Sequence, residues 1–388
     1  MQYWDYYDDS FDWPNAQFSI PDIHRTMHRF AELGFSISEI EALIESGYAI
    51  HEGDVVIDRY YGGLLMSADG MTRFRADHFV DALKSGACRT PVVRVSSTAE
   101  ARRQIDEWRK KSRQPLLFRG QTSSYPLDRK VRNPFFKTET FGEISLLPSL
   151  WRRQRQTKPR HYHEFGGLTI FEWSRVLYEQ FDLEEIERRQ MAINAAGGWM
   201  HSAQDMADSD DPLLQEFGRT RLDLMVGFNM AQPVHLNTIL QHYGLCSPVL
   251  DLTSDEDVAL FFASHKFTTG ANGSEYEFIG NNSGQSVLYV IRQNDTEMLP
   301  HEHARVLNKM QALRPIRQSC VICTSGAASL NLAALYLIGV IQLDFDHEGD
   351  VRYSTRDLFP PKEEDQLLAA MLRKLLHPEH LTEFRYSA

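Results

Sequence analysis

Residues 236–267 read LNTILQHYGLCSPVLDLTSDEDVALFFASHKF, and the local physics of this stretch decides the fold class. Residues 236–242 place apolar side chains at helical spacing, and Gly244 is positioned to stop that helix. Residues 248–253 form a short apolar run that predicts a buried strand. Ser254 is the expected N-cap of a second helix over 258–267. Asp257 sits at the capping-box position, and Asp255 and Glu256 favour the positive helix end. His242, Tyr243 and Thr253 therefore fall at element junctions, where free backbone N–H groups commonly hold ligands. The plainer alternative is that Thr253 and Ser254 only cap a helix while His242 only packs.

Moving outward, residues 91–95 read as a strand, and Ser97 with Glu100 starts a helix that runs to about 112. Residues 115–118 form another apolar strand, which delivers Arg119, Gly120 and Gln121. A guanidinium at the end of a buried strand is a good anion clamp, and a following glycine lets a ligand approach the backbone. The competing role for Arg119 is a structural ion pair with a core carboxylate such as Asp251. Residues 151–160 carry a run of cations beside Trp151. Trp151, Arg152, Arg153 and Arg155 are candidates for meeting a nucleic acid or other acceptor, although such runs are usually solvated faces. Helical patterns return over 164–190 and 213–230, with an expected loop or lid over 192–211. Later strands are expected at 286–291, within 314–324 and at 337–343, followed by an amphipathic helix within 358–376. Cys320 and Cys323 are three apart on a strand, so they face opposite sides, and no metal is expected from this pair.

The whole chain has 388 residues, 42% hydrophobic and 24% charged, which fits an ordinary globular protein with a sizeable core. A net charge of −12 argues against broad, sequence-blind binding to a phosphate backbone. Four cysteines are too few for a disulfide framework, no apolar run is long enough to cross a bilayer, and a cytoplasmic location is expected. Residues 1–88 read as a small α/β accessory unit ahead of a main domain over 89–388, with a helical insertion at about 164–235.

Taken in order, FRGQ (118–121), LLPSLWRR (146–153), QHYG (241–244), LDLTSDEDVALFFA (250–263) and DLFP (357–360) resemble the motifs of FRG-domain proteins. The resemblance runs over about 115–375. Cys246, Ser247 and Pro248 stand where that family usually has Pro-Thr-Arg, and Leu252 stands where it has Trp. The element order is in turn similar to that of ADP-ribosyltransferases. These place Arg or His on a first strand, Ser or Thr on a strand entering a helix, and Glu or Gln on a later strand. Arg119, Thr253 and Gln318 fill those slots. The resemblance implies an α+β fold with a split mixed sheet, and NAD as substrate. Arg119, Gly120, Gln121, Tyr243, Asp251 and Thr253 would bind it, and Arg119, Thr253, Gln318 and His242 would catalyse. The implied acceptor is a macromolecule, nucleic acid before protein, in a toxin or anti-phage effector with an inhibitory partner protein. A non-catalytic nucleotide-binding module and an NAD glycohydrolase are the alternatives.

Overall fold

A computed structural model describes residues 20–58, 74–86, 90–149, 168–229, 238–245, 249–270, 273–295, 298–300, 312–323, 331–346 and 351–386. Its class is mixed α+β. The cationic run with Trp151, Arg152, Arg153 and Arg155 lies outside the described residues.

The N-terminal unit comprises α1 (Ile20–Glu32), α2 (Ile37–Glu45), β1 (Tyr48–His51), β2 (Val55–Asp58), β3 (Phe74–Arg75) and α3 (Ala76–Ser85). Ser36 and Glu39 form a reciprocal capping box that starts α2. Phe30, Leu43, Tyr48, Ile50 and Phe79 pack a small core, and Val131 and Phe135 from the following domain press against it. Beneath that contact Arg129 is clamped between two carboxylates. It donates to Asp58 at 2.7 and 3.0 Å and to Glu143 at 2.5 and 2.9 Å. All three side chains are buried, 3% or less exposed.

The main domain is organised on one seven-stranded sheet. Its strands are β4 (Val92–Val95), β5 (Leu116–Gln121), β8 (Leu250–Thr253), β11 (Val287–Arg292), β12 (Met298–Pro300), β13 (Cys320–Cys323) and β14 (Leu337–Leu343). Their spatial order is β12-β13-β8-β5-β11-β14-β4. Among the described strands of this sheet only β14 and β4 pair in parallel. The short hairpin of β6 (Lys137–Thr138) and β7 (Gly142–Glu143) stands apart from it.

Strand alternation sorts the side chains onto two faces. Leu117, Leu252, Tyr289, Ile291, Val321, Cys323 and Val340 share one core with Leu127, Ile144 and Leu146. Leu116, Phe118, Leu288, Val290, Ile341 and Leu343 face the other way. There they meet Ala101, Ile105 and Trp108 of α4 (Thr98–Lys111), and Ala259, Leu260 and Ala263 of the helix Glu256–Ser264. Between β5 and β8 the ladder shrinks to a single pair, Phe118 with Thr253. The sheet therefore parts beside Arg119.

A helical layer follows β7: α5 (Ile170–Leu177), α6 (Leu183–Ala195), α7 (Ala203–Ala207) and α8 (Pro212–Asn229). Residues 192–211 are thus not an open loop. α6 continues to Ala195, and α7 buries Ala203, Met206 and Ala207. Met206 packs with Ile186, Met200, Leu214 and Phe217, and that apolar demand orders the segment. The helix Glu256–Ser264, α9 in chain order, ends earlier than its apolar pattern suggests. Residues from His265 onward form β9 (His265–Gly270), paired antiparallel with β10 (Gly273–Phe278). Later helices are α10 (Leu313–Arg317), α11 (Leu332–Leu335), α12 (Thr355–Leu358) and α13 (Gln366–Lys374). Among the described residues no helix is long and apolar enough to cross a membrane.

Candidate functional site

The sheet face that carries α9 is left uncovered over β8 and β13, and a cleft of about 580 Å³ opens there. That volume lies within the roughly 300–1,000 Å³ of small-molecule sites. Alternation on β8 explains its polar floor. Leu250 and Leu252 enter the core, which turns Asp251 and Thr253 to the opposite face. Cys320 of β13 shares that face, while Cys323 enters the core. The two cysteines do face opposite sides.

Four polar side chains meet on this floor. The His242 Nε2 atom lies 3.0 Å from Asp251 Oδ2 and 3.3 Å from Cys320 Sγ. His242 Nδ1 lies 2.9 Å from Gln318 Oε1, and the Gln318 amide nitrogen donates to the Leu358 carbonyl at 3.0 Å. The Asp251 Oδ1 atom is buried and finds no hydrogen-bond partner among the described residues. Burial, and then the neighbouring Asp251 carboxylate, push the Cys320 thiol well above its ordinary range. Arg119 reaches across the parted ladder and donates from Nη1 to the Asp251 carbonyl at 2.7 Å. That bond is to the main chain, whereas the Asp251 carboxylate lies against the His242 ring.

The junction between β8 and α9 is tightly knit. Thr253 Oγ1 donates to the Gln318 carbonyl at 2.8 Å and accepts from the Asp255 N–H at 3.0 Å. The N-cap of α9 is Asp255, not Ser254: its carboxylate accepts from the Asp257 N–H at 2.8 Å. Ser254 instead donates its backbone N–H to the Ser319 carbonyl. Ser319 holds φ +46°, a left-handed conformation unusual for serine, and this turn carries the chain from Gln318 into β13.

Of the expected ligand residues, Arg119, Gly120, His242, Asp251, Thr253 and Gln318 all border the cleft. Gln121 and Tyr243 do not. Tyr243 is fully buried and donates its hydroxyl to Asp365 at 2.9 Å, within the apolar layer of Trp173, Leu240, Leu367 and Met371. Burial and Asp365 push that hydroxyl well above its usual range. The 3₁₀ turn Thr238–Tyr243 ends at Gly244, φ +96°, so consecutive side chains diverge, with His242 at the cleft and Tyr243 behind it. Gly120 also serves packing. A Cβ there would lie 1.7 Å from the Ala259 carbonyl oxygen, so the glycine lets α9 rest directly on β5.

Two features take roles that the sequence alone does not assign. Arg314 is fully buried and donates to the His242 and Thr382 carbonyls at 3.0 Å, its guanidinium stacked near the Tyr243 and Phe384 rings. It thereby fixes the backbone that presents His242. The second is an aromatic wall. Tyr276 stacks on Phe359 at 5.0 Å, with Phe262, Phe267 and Phe384 around it, and all five line the cleft. Phe267, expected on a helix, reaches this wall because it lies on β9.

Residues 185–271 match the family model of the FRG domain. The match begins within α6 and ends after β9, so it takes in the 3₁₀ turn, β8 and α9. The Phe118-Arg119-Gly120 triplet lies outside it. No curated protein matches the chain, and no solved structure does.

Proposed function

We propose that this FRG-domain chain binds NAD in the cleft and transfers ADP-ribose to a macromolecular acceptor, nucleic acid in preference to protein. The observation that carries the reading is the convergence of Arg119, Thr253 and Gln318 on one cleft that also holds the Asp251 carboxylate. Arg119 and Thr253 come from the neighbouring strands β5 and β8, and Gln318 from the turn into β13. The sheet parts where Arg119 stands, which supports the likeness to the split sheet of ADP-ribosyltransferases.

The residue types suit the chemistry. Breaking the bond between ribose and nicotinamide develops positive charge on the ribose, and a buried carboxylate stabilises that charge by Coulomb attraction. Asp251 supplies the carboxylate. Arg119 would supply the guanidinium that grips a pyrophosphate through hydrogen bonds. Gln318 acts at one remove: its amide is engaged with His242 and Leu358, so it orients the imidazole. The aromatic wall offers ring faces to a base. The ribose–nitrogen bond breaks and nicotinamide departs with its electron pair, an acceptor oxygen or nitrogen bonds to the ribose carbon, and the acceptor's proton is released to water. An effector of a toxin or defence system, restrained by a partner, is the setting this activity fits.

Incubation with NAD labelled on the ADP-ribose, together with nucleic acid or cell protein, is expected to label a macromolecule and release nicotinamide. Arg119→Ala is expected to abolish both. Absence of both from the parent chain would overturn the proposal. Release without labelling would point to a glycohydrolase. The engaged amide of Gln318 favours a second reading, a nucleotide-binding module without turnover. Nucleotide binding with no nicotinamide release would select it.

A further inference from the structure

The hydrogen-bond directions around His242 carry an inference that does not depend on NAD. The Leu358 carbonyl can only accept, so the Gln318 amide nitrogen must face it, and Oε1 therefore faces His242. Oε1 also only accepts, so the proton of a neutral imidazole sits on Nδ1. The Nε2 lone pair is then directed at a carboxylate oxygen 3.0 Å away and a sulfur 3.3 Å away. Three electron-pair donors thus converge within 4.8 Å, and Cys320 brings the one hydrogen they share. Such a convergence calls for a positive centre. Held by a neutral imidazole, a carboxylate and a thiolate, a divalent ion would have its charge matched.

We infer that His242, Asp251 and Cys320 form a binding site for a divalent transition metal, zinc by ligand type, with a fourth position open to the cleft. Mixed nitrogen, sulfur and oxygen donors are a zinc set, and three protein ligands facing a cavity are the arrangement of open sites. Gln318 supplies the outer support found behind metal-bound histidines, a carbonyl oxygen on the other ring N–H. Arg314 holds the carbonyl of the same residue. Asp251 Oδ1, buried without a partner among the described residues, is a second oxygen for the ion. Binding converts the thiol to a thiolate and releases its proton to water, while ligand bonds form with no change of oxidation state. Cys323, on the other face, takes no part. This site and the proposed NAD chemistry draw on the same carboxylate, so zinc occupancy is expected to inhibit nicotinamide release.

The test is titration of the purified, chelator-stripped full chain with Co²⁺ and then Zn²⁺. One Co²⁺ per chain is expected, with a thiolate-to-cobalt charge-transfer absorption that Zn²⁺ removes by displacement. Cys320→Ser should lose the absorption and Cys323→Ser should keep it, each with an unchanged circular dichroism spectrum. Asp251→Asn should weaken binding yet keep the absorption, which guards against a folding defect in the serine variant. Gln318→Ala should weaken binding about 10–100-fold with the absorption retained, the mark of a positioning residue. Failure of the parent chain to bind either ion, or an absorption that survives Cys320→Ser, would overturn the inference. A chain that binds Co²⁺ but never cleaves NAD keeps the metal site and loses the proposed activity.

Discussion

Two buried polar clusters in this molecule have opposite designs. Around Arg129 one guanidinium is enclosed by Asp58 and Glu143, and Asn133 adds further bonds to both carboxylates. The cluster is closed and joins the N-terminal unit to the main domain. Around His242 the acceptors of Asp251 and Gln318 gather with the Cys320 thiol at the edge of a cleft, and Asp251 Oδ1 has no partner among the described residues. A closed network with every carboxylate oxygen bonded holds elements together. An open one, with an acceptor to spare, is built to receive something. Burial alone would have ranked the two alike; the completeness of the bonding separates them.

Substitutions can break or sharpen that contrast. The largest effect is expected from Asp251→Asn, which should lower nicotinamide release about 100-fold or more by removing the cleft-floor carboxylate that opposes the developing cation. The expected circular dichroism is that of the parent. Next, Arg129→Met should cost about 3–5 kcal/mol in denaturant unfolding, because it strands two buried carboxylates. Burial already holds the Glu143 carboxyl above its ordinary value, so its protonated form favours the fold. That contribution is present below the ordinary glutamate range of roughly 4.3 and is lost as pH rises through the raised value. The Arg129→Met defect should therefore shrink in acid, read as a smaller shift in unfolding midpoint. A chain equally destabilised at all pH values would contradict this.

Smaller effects test the local geometry. Gly120→Ala forces β5 from the Ala259 carbonyl and should cost about 1–3 kcal/mol, measured by thermal unfolding. Tyr243→Phe should cost about 1 kcal/mol through the lost bond to Asp365, and leave any NAD turnover per folded molecule unchanged. Ser319→Gly relieves a left-handed backbone and should stabilise by up to about 1 kcal/mol.

Much of the fold was legible because it rests on local signals. The strand over 337–343 has the expected bounds, the helix after Ser97 starts at its cap, and Arg119 stands on the strand that apolar pattern predicts. The limits of the central unit were less legible. Ser254 and Asp255 are both good caps, and only the pairing of Ser254 with the Ser319 carbonyl decides between them. The segment 265–267 reads HKF and carries no local signal that ends the helix, and its partner β10 makes it a strand. The site was legible in its members but not in their directions. Tyr243 and His242 are adjacent in sequence, yet a turn sends one into the helical layer and the other to the cleft. The meeting of Cys320 with His242 was hidden, because a CxxC string invites comparison of Cys320 with Cys323 rather than with a histidine far along the chain. Arg129 gave no signal at all, since its partners Asp58 and Glu143 lie in separate elements.

The contrast between the two clusters is tested most directly by one paired measurement, nicotinamide release and thermal midpoint for Asp251→Asn beside Asp58→Asn. The first variant is expected to lose release and keep its midpoint, and the second to lose midpoint and keep release per folded molecule. Equal loss of midpoint in both, with release retained by Asp251→Asn, would make the cleft cluster one more structural network and contradict the account.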